Sequence, residues 1–62
     1  METDKWRFMN GVHYLKAKGK GYFMVRFESR RDYELVGPGI TPERFTRLHA
    51  AKERAEQLNL DL

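Results

Sequence analysis

The run Tyr22-Phe23-Met24-Val25-Arg26-Phe27-Glu28 decides how this chain folds. Its residues alternate, with Phe23, Val25 and Phe27 on one face and Tyr22, Met24, Arg26 and Glu28 on the other. That period of two is the mark of a strand buried on one side. Upstream, Gly11 to Lys16 carries Val12, His13, Tyr14 and Leu15, and the loop Ala17-Lys18-Gly19-Lys20-Gly21 supplies glycines that close a hairpin between the two runs. Downstream, Asp32-Tyr33-Glu34-Leu35-Val36 alternates again and stops at Gly37-Pro38-Gly39. A three-residue turn at Ser29-Arg30-Arg31 sets Glu28 opposite Asp32, Phe27 opposite Tyr33, Arg26 opposite Glu34 and Val25 opposite Leu35. Aromatics then meet inside, and Arg26 meets a carboxylate outside. A two-residue turn would put Glu34 opposite Phe27 on the core side, which disfavours it.

After Gly39 the period changes. Thr41-Pro42-Glu43 reads as a helix start, with Thr41 as the cap, Pro42 in the first turn where no donor is lost, and Glu43 complementing the dipole. Phe45, Leu48, Ala51, Ala55 and Leu58 then recur every three or four residues as one apolar stripe, which predicts a helix ending near Leu58 or Asn59. Glu43 and Arg47 are spaced for an ion pair one turn apart. The fold expected is α+β, a three-stranded antiparallel sheet packed against one C-terminal helix in the order β-β-β-α. Its core is Phe23, Val25, Phe27, Tyr33, Leu35, Phe45, Leu48, Ala51 and Ala55. Trp6, Phe8 and Met9 lie before this pattern, and core closure is the favoured role for Trp6 over a binding role.

The chain of 62 residues makes one small domain over 1–62, with 1–5 expected as a flexible tail. A domain of this size buries only about 60% of its unfolded surface, so a deep catalytic cleft is not expected. There is no cysteine, hence no disulfide framework and no thiolate metal site. The 40% hydrophobic and 34% charged content is too apolar for a disordered chain and too charged for a membrane span. The acidic Met1-Glu2-Thr3-Asp4 start, with no long apolar run behind it, carries no secretory signal pattern, and a cytoplasmic location is the expectation.

Catalytic chemistry is sparse. Ser29 is the only serine, and Thr3, Thr41 and Thr46 lie in the tail or on the expected helix. Neither His13 nor His49 has a base-and-orienter pattern beside it, and their spacing fits no metal motif. Lys18-Gly19-Lys20-Gly21 lacks the spacing and the following helix of a phosphate loop and reads as a mobile basic hairpin tip. No enzyme activity, cofactor, metal or membrane is expected.

Charge is more informative. Of a net charge of +3, the segment from Lys5 to Arg31 holds eight basic residues against Glu28 alone, while the two flanking stretches are acidic. Such asymmetry is the electrostatic footprint of a polyanion partner. If the helix covers Phe23, Val25 and Phe27, then Tyr22, Met24 and Arg26 stand exposed beside Lys16 and either His13 or Tyr14. A sheet face of this kind can enter the DNA major groove, where arginine reads guanine.

The order Gly11-Val12, Gly21 to Phe27, Tyr33-Glu34-Leu35-Val36-Gly37 and the helix containing Ala50-Ala51-Lys52-Glu53-Arg54-Ala55 resembles the AP2-like DNA-binding domain. It is likewise similar to the N-terminal arm-type domains of the tyrosine recombinases of phages and transposons. The likeness spans roughly Gly11 to Asn59, and Asp32 and Glu34 depart from it where the family often has neutral or basic residues. It implies double-stranded DNA as partner, with Tyr22, Met24 and Arg26 in the major groove and Lys16, Lys18 and Lys20 on backbone phosphate, and a role as transcription or recombination accessory factor. The basic turn residues Arg30 and Arg31 complete the expected nucleic-acid-binding set. A second class stays open, a small protein-binding adaptor or inhibitor anchored on Tyr22, Met24 and Trp6. A third is a single strand stacked on Tyr22.

Overall fold

The computed structural model of the chain describes residues 5–62. The expected tail at 1–5 lies, apart from Lys5, outside the described residues. The strands are β1 (Trp6–Met9), β2 (Val12–Lys16), β3 (Tyr22–Ser29), β4 (Asp32–Val36) and β5 (Glu43–Phe45), followed by the helix α1 (Leu48–Leu60). They form one antiparallel sheet in the order β1-β2-β3-β4-β5, with α1 on one face. The α+β class, the single sheet and the C-terminal helix are as expected; the sheet has five strands where three were expected, because a short strand is added at each edge.

The first addition comes from Asn10-Gly11. Both residues have positive φ, 50° and 77°, the left-handed pair that a two-residue hairpin turn requires. Trp6 therefore lies opposite Leu15, and Phe8 opposite His13. The second addition corrects the helix start. Glu43 to Phe45 pairs with β4, Phe45 opposite Tyr33 and Glu43 opposite Leu35, so Phe45 reaches the core from a strand. Pairing there covers the backbone groups of the β4 edge, which a helix beginning at Thr41 would leave open. The helix starts at Leu48, with the extended Arg47 before it and no side-chain cap. The Glu43–Arg47 pair is accordingly replaced by one between Glu43 and Arg54 on α1, at 3.1 Å.

The β3–β4 turn reconciles the two options weighed above. Ser29 is a strand residue opposite Asp32, which shortens the turn to Arg30-Arg31, with Arg31 at φ 59°. The register shifts between Phe27 and Ser29, so Glu28 is an extra residue opposite no partner and Phe27 still faces Tyr33. The bulge restores the pairing that the core requires, Arg26 opposite Glu34 and Val25 opposite Leu35.

Leu15, Ala17, Phe23, Val25, Leu35, Ala51 and Ala55 are buried, with Trp6, Tyr33, Ile40, Phe45, Leu48 and Leu58 packed around them. The alanines let α1 lie close on the sheet. Phe27 is a correction: it is 60% exposed, since α1 begins too late to reach the end of the sheet where Phe27 and Tyr33 stack at 5.6 Å. Trp6 closes the β1 side of the core, its indole N–H donating to Glu56 at 2.8 Å and its ring lying under the Lys52 ammonium at 5.2 Å. Among the described residues no helix is long and apolar enough to cross a membrane.

Candidate nucleic-acid interface

Strand alternation and register sort every sheet residue onto one of two faces. The face away from α1 has three rows. Lys16 lies opposite Tyr22; Arg7, Tyr14, Met24 and Val36 follow; then come Met9, Val12, Arg26, Glu34 and Arg44. Lys16, Tyr22, Met24 and Arg26 thus share the face anticipated for them. Of the two candidates on the neighbouring strand, Tyr14 is there, while His13 points to the helix side and stacks on Phe8 at 4.6 Å.

The face divides into two electrostatic halves. On β1 to β3, Tyr14 and Tyr22 meet edge to face at 6.1 Å, and Tyr22 keeps 51% of its surface exposed. Arg7 and Lys16 border this pair, and among the described residues no carboxylate lies within ion-pair distance of either. On β3 to β5 the carboxylates gather. Arg26 pairs with Glu28 at 3.6 Å along its own strand rather than with Glu34 across from it. Arg44 donates to Asp32 at 2.7 Å; that hydrogen bond, with the charges of Asp32, Glu34 and Glu28, raises its pKa.

The basic tips differ from one another. Lys20 is exposed in the β2–β3 loop. Lys18 is tied down: its backbone N–H donates to Asn59 at 2.8 Å, its ammonium to the Leu60 carbonyl at 3.4 Å, and Asn59 in turn donates to the Lys16 carbonyl. The loop expected to be a mobile tip is therefore docked on the helix C-terminus, where a cation is favoured by the helix dipole. Arg30 and Arg31 sit at the opposite end of β3, beyond Glu28, where Arg31 lines a shallow cleft with Thr46 and Arg47. The eight expected residues thus form no single patch. Arg7 joins the site only because β1 exists, and the Asn10-Gly11 turn signal is what would have placed it.

On the helix side, Phe8, His13, Phe27, Tyr33 and Leu48 line an open cleft at the end of the sheet that α1 leaves uncovered. Partial burial, then the nearby Lys52 charge, lower the His13 pKa from its ordinary 6.5. Among the described residues no cluster of three or more His, Asp or Glu side chains is arranged to hold a metal ion.

Compared with known proteins, the chain matches no family model, no curated protein and no solved structure.

Proposed function

We propose that the chain is a nucleic-acid-binding module that receives a phosphate backbone on the β1–β3 half of its outer sheet face. The observation that carries this reading is the segregation of charge on one face. Among the described residues, Arg7 and Lys16 flank exposed aromatic surface with no carboxylate within ion-pair distance, while Glu28, Asp32 and Glu34 are gathered around Arg26 and Arg44. Cations outside such pairs are the ones available to displace counterions from phosphates. The sequence resemblance to the AP2-like domain implies duplex DNA as the ligand and a role as transcription or recombination accessory factor. Five strands span about 19 Å at about 4.8 Å per spacing, against a major groove about 12 Å wide. The portion suited to a groove is the β2–β3 ribbon with Lys16, Tyr22 and Met24.

Fluorescence anisotropy with labelled DNA across a salt series tests the reading. Wild-type affinity falls log-linearly with salt, and Arg7→Ala, Lys16→Ala and Lys20→Ala together flatten the slope by about 2 to 3 units, each phosphate contact contributing about 0.7 to 0.9. Unchanged affinity and slope reject the contact.

A protein-binding role has separate support in Phe8, Met9 and Phe27, which are 63%, 54% and 60% exposed at one end of the sheet. Those anchors differ from the Tyr22, Met24 and Trp6 set, since Trp6 is packed against the core. Salt-insensitive capture of a peptide by that end would favour this second reading.

A further inference from the structure

We infer that the aromatic half of the outer face is a stacking platform for the unpaired bases of a single-stranded nucleic acid. The inference rests on the nucleic-acid reading above and names the form of the ligand. Tyr22 opens the central strand β3, paired with Lys16 at the end of the ladder, and keeps 51% of its surface exposed on the outer face. Its orientation is set by the perpendicular ring of Tyr14 at 6.1 Å, so the exposed ring surface is presented in a fixed pose. Met24, half-buried and directly opposite Tyr14, continues the apolar floor.

Two cations border this floor without a carboxylate in ion-pair distance among the described residues. Lys16 faces Tyr22 and Arg7 faces Tyr14 across the strands, placing positive charge one strand away from each ring. A single strand running along β2 sets its phosphates over Arg7 and Lys16 and turns its bases onto Tyr22, which every base can meet because every base has a π face. A duplex offers its phosphates and groove edges but keeps its base faces stacked inside, so only an unpaired base can stack on the Tyr22 ring. On the other side the third row mixes signs, Arg26 and Arg44 with Glu34 and the bulged Glu28 beside Arg26, and offers a backbone less net positive charge than Arg7 and Lys16 do. The platform is therefore short, ending at this mixed row.

The test compares a short labelled oligothymidylate with an abasic strand of the same length, by anisotropy at moderate salt, for the wild type, Tyr22→Leu and Tyr22→Phe. Wild type binds the oligothymidylate more tightly than the abasic strand. Tyr22→Leu weakens oligothymidylate binding about tenfold or more, consistent with the loss of one stacked base, and leaves the abasic strand as before. Tyr22→Phe retains the ring and the preference. Circular dichroism checks that each variant is folded. Equal, salt-dependent binding of both strands by wild type and Tyr22→Leu overturns the platform while the phosphate contact stands. Absence of binding to either strand overturns the platform; if a duplex of the same length is likewise not bound in a salt-dependent way, the nucleic-acid reading falls with it, whereas salt-dependent duplex binding leaves that reading standing.

Discussion

Phe23 packs directly against Gly37. A β-carbon built on Gly37 would overlap the Phe23 ring, reaching 2.7 Å from Cε1 and closer still to Cδ1. Phe23 has no exposed surface and is held between Leu15, Val25 and α1, so the ring cannot retreat. Gly37→Ala is therefore expected to destabilise the domain by about 1 to 3 kcal/mol, the range for overpacking a filled core. Urea denaturation measures it. A change under about 0.5 kcal/mol would mean that the ring has room to move.

Two phenylalanines four residues apart on β3 should behave very differently. Phe23→Ala empties the centre of the core and is expected to cost about 3 to 5 kcal/mol, most of the stability of so small a domain. Phe27 is 60% exposed, and Phe27→Ala should cost about 1 kcal/mol or less, chiefly its contact with Tyr33. Paired thermal melts of the two variants check the contrast, and similar losses would place both rings in the core.

That contrast shows what the sequence carried and what it did not. The alternation of β3 places Phe23, Val25 and Phe27 on one face correctly, but a period of two says which face a ring takes, not how far a helix extends over it. Phe45 misled for a related reason: three residues before Leu48, it fits a helical stripe, and one residue beyond Arg44, it equally fits a strand that points it inward. Pairing with the β4 edge decides between them, and that interaction is non-local. Arg7 depended on β1, whose four residues alternate too briefly to be read, although the Asn10-Gly11 turn was legible. Lys18 was misjudged because nothing in its neighbourhood announces Asn59, forty-one residues away.

His13 makes stability depend on pH. Its imidazole stacks on Phe8 in the cleft shared with Glu28 and Tyr33, and burial, then Lys52, lower its pKa below the ordinary 6.5. The unfolded chain therefore binds a proton that the folded one resists. The contribution is fully present above 6.5 and is lost as pH falls through that value toward the lowered one. The melting temperature should fall between about pH 7 and pH 5, and His13→Gln should flatten that part of the profile. Identical profiles for wild type and variant would show that His13 titrates alike in both states.

Arg26 and Glu34 give the sharpest reading of the acidic half. Arg26 is held by Glu28 on an exposed surface, an ion pair worth about 1 kcal/mol at most, so Arg26→Lys should leave the melting temperature nearly unchanged. Lysine keeps the charge but loses the planar fork that reads a guanine edge. With Glu28 3.6 Å from its Nε and Glu34 opposite it, Arg26 meets an approaching base edge beside two carboxylates, and Arg26→Lys is expected to weaken specific and random DNA alike and only slightly. Glu34 lies between Arg26 and Arg44, has no hydrogen bond or ion pair among the described residues, and its charge acts on Arg44 as well as on an approaching phosphate. Glu34→Gln removes that repulsion and is expected to tighten DNA binding by a few-fold at low salt, with the gain fading as salt screens it. Tighter binding that persists at high salt would point to a new hydrogen bond from the amide instead. A loss of affinity, or a selective loss of the specific sequence in Arg26→Lys, would move the contact from the β1–β3 half to the row that Arg26 and Glu34 share.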